Sequence, residues 1–367
     1  IQSENPMRAR PLSLSRLASL AGLMVFSQVG CAVTPVPPGV PSADGEVIPA
    51  GEAAATASVA AAIQASVQAG FDKSGHAFRD AHRKSHGCVQ ATFSVLDQLP
   101  PKLAQGLFAT PKSYNAVVRF SNGSGSSQDD HTNDARGMAV KVMGVPGLKL
   151  LDDEQTASTQ DFLMTNHPVF FIRNAVDYGA FQNAVSGGGL SLAGWLTTHL
   201  FHETSIILSF TGHKLLNPLN SRYWSTTPSK LGTEQMKFSA KPCAGSSFYE
   251  QSDTADRLGE NLRAQLAQGG ACFDFMVQTR TVPAEMPIED ATVEWKEAKS
   301  PFVPVARITI PAQTPEAAEV CEARSFTPWH SIAEHRPLGG ISRVRKDVYL
   351  TVSKLRHELN AQPRIEP

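Results

Sequence analysis

The chain has 367 residues, 41% of them hydrophobic, and a formal net charge of -1. That composition suits one large globular domain or two small ones. Its basic residues are scattered and have no aromatic residues interleaved among them, which argues against nucleic acid as a partner.

From Met7 the N-terminus has a basic start (Arg8, Arg10, Arg16), then the apolar run "LASLAGLMVF", then small residues ending at Gly30 and Cys31. The run is too short to span a bilayer as a helix, and residues 1–31 read as a secretory signal that starts at Met7. The six residues before Met7 do not fit such a signal. "QVGC" resembles a bacterial lipoprotein cleavage box, with Cys31 as the lipidated residue and Gln28 where Leu is usual. The expectation is an exported, periplasmic protein held to the membrane through lipid on Cys31. Residues 32–51, rich in Pro and Gly, read as a tether. Cys88, Cys243, Cys272 and Cys321 remain, enough for two disulfides with three pairings that spacing cannot choose between. No C-x-x-C or Cys/His spacing suggests zinc.

Residues 52–360 read as a single domain and 361–367 as a tail. An Ala-rich helix comes first, with Val59, Ile63 and Val67 four residues apart. Strand-like runs follow: "CVQATFSV", "AVVRFS", "GMAVKVM", "DFLM", "HPVFFI", "MKFSAKP", "CFDFMVQT" and "VARITI". The first alternates, with Val89, Ala91, Phe93 and Val95 on one side. Helices are expected near 177–186, 190–214 and 253–267. Many strands with long, variable connections predict an α+β fold, an antiparallel barrel or sandwich with added helices, and not repeated βαβ units.

Several places along this frame could carry chemistry. "FRDAHRKSHG" holds Arg79, His82 and His86, and either histidine could move a proton near neutral pH. Arg119 and Ser121 share one face of a strand, where an arginine calls for an anion or a hydrogen-bond partner inside the barrel. Thr165 and Asn166 interrupt two apolar runs at "LMTNHP" and could reach into a pocket. "GSGSS" lacks the rest of a dinucleotide fingerprint, and no nucleophile elbow or HExxH helix is present. Near the C-terminus Ile341, Val344, Val348, Val352, Leu355 and Leu359 trace one helical stripe. Arg345, Tyr349 and Arg356 fall within about 40° of one another on its flank, with Tyr349 and Arg356 roughly 10 Å apart along the axis. A half-buried phenol and two guanidiniums suit a large flat ligand with an anionic rim.

In order, Arg79-x-x-His82, Arg119-Phe120-Ser121, "NDARGMAVKV", "DFLMTNHPVFFIRN", "SFTPW" and Arg345-x-x-x-Tyr349 followed by Arg356 resemble the haem catalase superfamily over residues 71–360. More closely the chain resembles short bacterial catalase-like proteins, beside catalase-related peroxidases and coral allene oxide synthase. The resemblance implies an antiparallel β-barrel of about eight strands with added helices, the last of which ligates haem b. Tyr349 would bind the iron through its phenolate, which Arg345 would hold deprotonated. Arg79, Arg119 and Arg356 would bind propionates, and Tyr178 would sit near the haem where catalases have a phenylalanine. His82 would be the distal histidine, hydrogen-bonded by Ser121, although the short loop after it leaves His86 as a second candidate. Thr165 stands at the usual distal asparagine, with Asn166 beside it. The loss of that amide donor would cost ~10²-fold in peroxide dismutation, and Ala81 replaces a bulkier valine, which would open the pocket to organic substrates. The implied activity is a peroxidase- or catalase-like oxidoreductase that uses hydrogen peroxide or organic hydroperoxides and a small-molecule electron donor. The alternatives are a fatty-acid hydroperoxide isomerase or dehydratase and a non-catalytic haem-binding lipoprotein.

Overall fold

In a computed structural model, described for Gly39 and residues 41–199, 201–210 and 214–364, the chain runs in the order α1 (Glu52–Ser74), β1 (Ser85–Val95), β2 (Ser113–Asn122), β3 (Arg136–Met143), β4 (Thr159–Thr165), α2 (Ala175–Ser186), α3 (Gly189–Thr198) and α4 (Glu203–Phe210). It continues with β5 (Tyr223–Trp224), β6 (Ser229–Leu231), β7 (Glu234–Pro242), α5 (Arg257–Gln268), β8 (Ala271–Thr279), β9 (Val303–Ile310), α6 (Ala318–Ala323) and α7 (Gly340–Leu359). The signal segment with Cys31 lies outside the described residues, as do residues 32–38 and 40 of the tether and residues 365–367. Among the described residues no helix is long and apolar enough to cross a membrane.

The strands pair antiparallel in the order β5-β4-β3-β2-β1-β9-β8-β7, and β5 also pairs with β7, which closes an eight-stranded barrel; β6 adds to β7 outside the ring. Closure removes the sheet edges that would otherwise invite pairing with other chains. Seven of the predicted runs are strands. The exception is "HPVFFI", which has no regular structure: its Phe170, Phe171 and Ile172 pack with Tyr178, Phe181 and Trp195 in a cluster separate from the barrel core. A short apolar run carries no period that tells a strand from such a plug. The helix expected over 190–214 is two helices, α3 and α4.

The barrel interior is solid. Phe93, Phe108, Phe120, Phe162, Phe238, Phe273 and Phe275 fill it, with Phe162 and Phe275 centred 4.7 Å apart. Such packing leaves no room for a large ligand. Because Ala116, Val118 and Phe120 of β2 point into this core, Arg119 and Ser121 point out of it. The partner for Arg119 therefore lies outside the barrel, which corrects the expectation of one inside.

Outside the barrel α1, α2 and α7 form a helical layer. Val59 and Ile63 of α1, Ala175 of α2 and Val344 of α7 share one apolar cluster, joined by Tyr178, Val348 and Val352. Each fully buried valine here contributes roughly 1.5–3 kcal/mol relative to exposure. The folded unit starts before α1. Glu46 Oε1 accepts hydrogen bonds from Gly339 N at 2.8 Å and Arg343 Nη1 at 2.6 Å, so the last part of the expected tether is strapped to the start of α7.

Two disulfides settle the open pairing: Cys88–Cys321 joins β1 to α6, and Cys243–Cys272 joins the end of β7 to β8.

Candidate functional site

Helix α7 presents its polar flank beside the apolar stripe. Arg345 Nη2 donates to Tyr349 Oη at 3.1 Å, and its guanidinium carbon lies 5.2 Å from that ring's centroid. A phenol oxygen held by a cation suits a negatively charged or metal-bound oxygen. Tyr178 of α2 packs against the same helix; burial, followed by the charges of Asp80 and Tyr349, raises its pKa and keeps it a neutral phenol.

Two turns further on, Arg356 is buried and meets Arg79. Both bind Glu322, Arg356 Nη1 at 2.9 Å to Oε1 and Arg79 Nη1 to Oε2. Burial and the neighbouring Arg79 push the pKa of Arg356 down to about 9. Arg119 joins this group: burial and the charge of Arg79 lower its pKa, its Nη2 donates to His82 O at 2.8 Å, and its buried Nε has no partner. Three guanidiniums face one carboxylate. A buried cluster left positive in this way demands further anions.

His82 sits at φ 58°, in the left-handed region that costs a non-glycine residue ~1–3 kcal/mol. The loop "SNGSGS" holds it there. His82 N and Arg83 N donate to Gly123 O at 3.0 Å and Ser124 O at 3.1 Å, while Asp134 Oδ2 accepts from Gly123 N and Ser124 N at 2.9 Å each. Gly125 has to be glycine, since a Cβ there would lie 1.9 Å from Asp80 O. Gly137 has to be small too: a Cβ would stand 2.5 Å from His82 Nδ1. Gly123, Gly125, Asp134 and Gly137 seat the histidine and were missed in the sequence, although the glycine-rich loop and "NDARG" together carry the signal.

His82 Nδ1 lies 2.9 Å from Asn122 O and 3.1 Å from Ser121 Oγ. A carbonyl oxygen only accepts, so Nδ1 carries the proton and Nε2 is left with the lone pair. Burial, then the charges of Arg119, Arg345 and Arg79, lower the His82 pKa to about 4, so the ring is neutral at pH 7. Arg345 of α7 is among those charges, so His82 lies within electrostatic range of that helix. The arrangement offers a base aimed away from its anchor, a cation-held phenol and an anion-hungry rim.

Comparison with known proteins decides the fold. No family model and no curated protein matches the chain. Among solved structures, it is similar to a fungal catalase (TM-score 0.62, 17% identity, over 81% of this chain and 65% of that one). It is similar also to a bacterial catalase (0.59, 16%, over 82% and 62%) and to catalase A from Saccharomyces cerevisiae (0.59, 17%, over 82% and 67%). The chain has the catalase fold. It spans 65% and 62% of the lengths of the first two catalases.

Within this catalase fold the other expected residues fall in two groups. Thr165 is in register with Gly137, which is in register with Ser121, so the three cross adjacent strands beneath His82. The Thr165 hydroxyl donates to His167 O at 3.3 Å. Asn166 is turned away from that row, its Oδ1 accepting Arg136 N at 2.7 Å. His86 is buried behind β2, 3.0 Å from Asn122 Oδ1 and 4.0 Å from Asp130. It thus supports the residue whose carbonyl anchors His82, and the short loop leaves His82 alone beside Ser121 and Gly137.

Proposed function

We propose that the chain is a haem-dependent oxidoreductase of hydroperoxides, peroxidase-like rather than a fast catalase. The observation that carries this reading is the convergence, on the outside of a catalase-fold barrel, of Tyr349 with Arg345, His82 on its glycine seat, and the under-compensated cluster of Arg79, Arg119 and Arg356. Those residues fit haem b. Tyr349 would hold the iron, the arginines would hold the two propionates, and Tyr178 would border the ring. When bound, the haem supplies the two electrons that split the O–O bond and regains them from a small-molecule donor.

The chain's own work is proton transfer and positioning. Neutral His82 accepts at Nε2 the proton of the hydroperoxide's inner oxygen and returns it to the outer one, which leaves as water or an alcohol. Asn122 O and Ser121 Oγ keep Nδ1 fixed throughout, so the ring neither flips nor changes tautomer. Neither Thr165 nor Asn166 offers an amide donor to a second peroxide, which favours an organic reductant. Thr165→Asn is expected to raise oxygen evolution from hydrogen peroxide ~10²-fold.

The two disulfides favour an oxidising compartment and support the proposed export, with lipid on Cys31 as the anchor. The haem reading is tested on purified protein by absorbance, with oxygen evolution, donor oxidation and lipid hydroperoxide loss measured in parallel. Wild type is expected to show a high-spin ferric band and donor oxidation, and Tyr349→Phe to lose that band. An unchanged band in Tyr349→Phe would refute the ligand. Lipid hydroperoxide loss without a donor would make the enzyme an isomerase, and inert haem would make it a carrier.

A further inference from the structure

Glu322 stands where Arg79 and Arg356 converge. Besides the two carboxylate bonds, Glu322 O accepts from Arg79 Nη2 at 3.3 Å and from Arg356 Nη1. The carbonyl of Arg324 accepts from both arginines as well. Arg119, by contrast, ends on a backbone carbonyl with its Nε unpartnered. One carboxylate thus stands among three guanidiniums, those of Arg119 and Arg356 buried and that of Arg79 half-buried, and is divided between Arg79 and Arg356.

Chain geometry fixes that carboxylate in place. Cys321, the preceding residue, is bonded to Cys88, and Cys88 is the register partner of Arg119 across β1 and β2. The disulfide therefore pins residue 322 beside the strand that carries Arg119. From the other side Arg324 is clamped by Glu316, at 2.8 Å and 2.6 Å. Only about 18% of the Glu322 side chain is exposed, so water does little to compensate the arginines in its stead.

We propose that Glu322 is a resident anion of the arginine rim: it pairs Arg79 and Arg356 in the haem-free chain, yields them to a carboxylate of the incoming haem, and thereby sets haem affinity. This rests on the haem reading above. A preformed pair that must open makes the binding-competent state a minor one, and the apparent Kd rises in inverse proportion to that state's population. The exchange involves no covalent step. It is selective for the free diacid, because a rim without carboxylates gives the arginines nothing in return for Glu322.

The test is titration of haem-free wild type, Glu322→Gln and Glu322→Asp with haem, with iron-free protoporphyrin IX and with its dimethyl ester, read by the absorbance band and by quenching of tryptophan fluorescence. Glu322→Gln is expected to bind both diacids ~10-fold or more tightly than wild type, with little change for the ester. Glu322→Asp keeps the charge, withdraws it by one methylene and should fall between, and it serves alone if the Gln variant does not fold. Equal or weaker diacid binding by these variants would overturn the proposal while leaving the haem reading intact. If wild type and both variants bind no porphyrin, the haem reading fails and this inference falls with it.

Discussion

At the scale of single residues, the site depends on a glycine more than its motif suggests. Gly137 lies opposite Ser121 on the neighbouring strand, and an added methyl would stand 2.5 Å from His82 Nδ1 and 2.8 Å from Ser121 Oγ. Both distances are below any real contact, and β2 and β3 are paired along their length, so the imidazole would have to move. Gly137→Ala is therefore expected to lower hydroperoxide turnover by ~10²–10⁴-fold, the usual worth of a positioned acid–base group. If Tyr349 ligates haem as proposed, the absorbance it sets should persist. Full turnover in a folded Gly137→Ala protein would remove His82 from its role.

At the scale of elements, α7 is held at both ends by charge. Its Arg343 is ringed by Glu46 at 2.6 Å, Glu52 at 2.5 Å and Glu289 at 2.9 Å, and despite burial these carboxylates raise its pKa. Removing the cation would leave three carboxylates crowded at the first turn. Arg343→Ala is expected to cost about 3–5 kcal/mol in urea unfolding and to loosen the haem binding proposed for Tyr349. This strap was illegible in the sequence, because the Pro- and Gly-rich composition of residues 32–51 looks the same whether its few acids are paired or solvated. Helix α7 itself was legible, since its stripe repeats over five turns. So were the long strands, whose register then puts Arg119 and Ser121 on one face. Which side of the barrel that face occupies was not legible: alternation separates two faces, and only the phenylalanines filling the ring decide which is inner. The two-residue β5 and three-residue β6 are too short to carry a period, yet β5 closes the barrel. Asn166 was named beside Thr165 by adjacency, and consecutive residues at a strand end point opposite ways.

At the scale of the whole molecule, buried histidines make stability depend on pH from both sides. Burial is the first cause in each case. It holds His82, His335 and His357 at about 4 and His86 at about 3, so all four are neutral when folded. Unfolded, they take protons below about pH 6.5. Their contribution is complete above that value and is lost as pH falls through 6.5 toward 4, each tenfold difference in proton affinity between the folded and unfolded chain being worth about 1.4 kcal/mol before screening. His330 works in the opposite sense. Burial opposes its charge, but Asp161 and Glu154 outweigh that cost and raise its pKa to about 9. Its contribution is complete below about pH 6.5 and is lost as pH rises from there through 9. Buried Lys237 opposes that loss on the alkaline side: burial lowers its pKa to about 7, so its contribution grows as pH rises from there, and the Tm of the haem-free protein should fall clearly on the acid side only. In His330→Gln the Tm at pH 9 relative to that at pH 7 should be higher than in wild type while the acid fall stays, because Lys237 and the four neutral histidines are untouched. An unchanged pH 7-to-9 difference in His330→Gln would mean that the buried pairing of His330 with Asp161 and Glu154 does not hold the charge the geometry gives it.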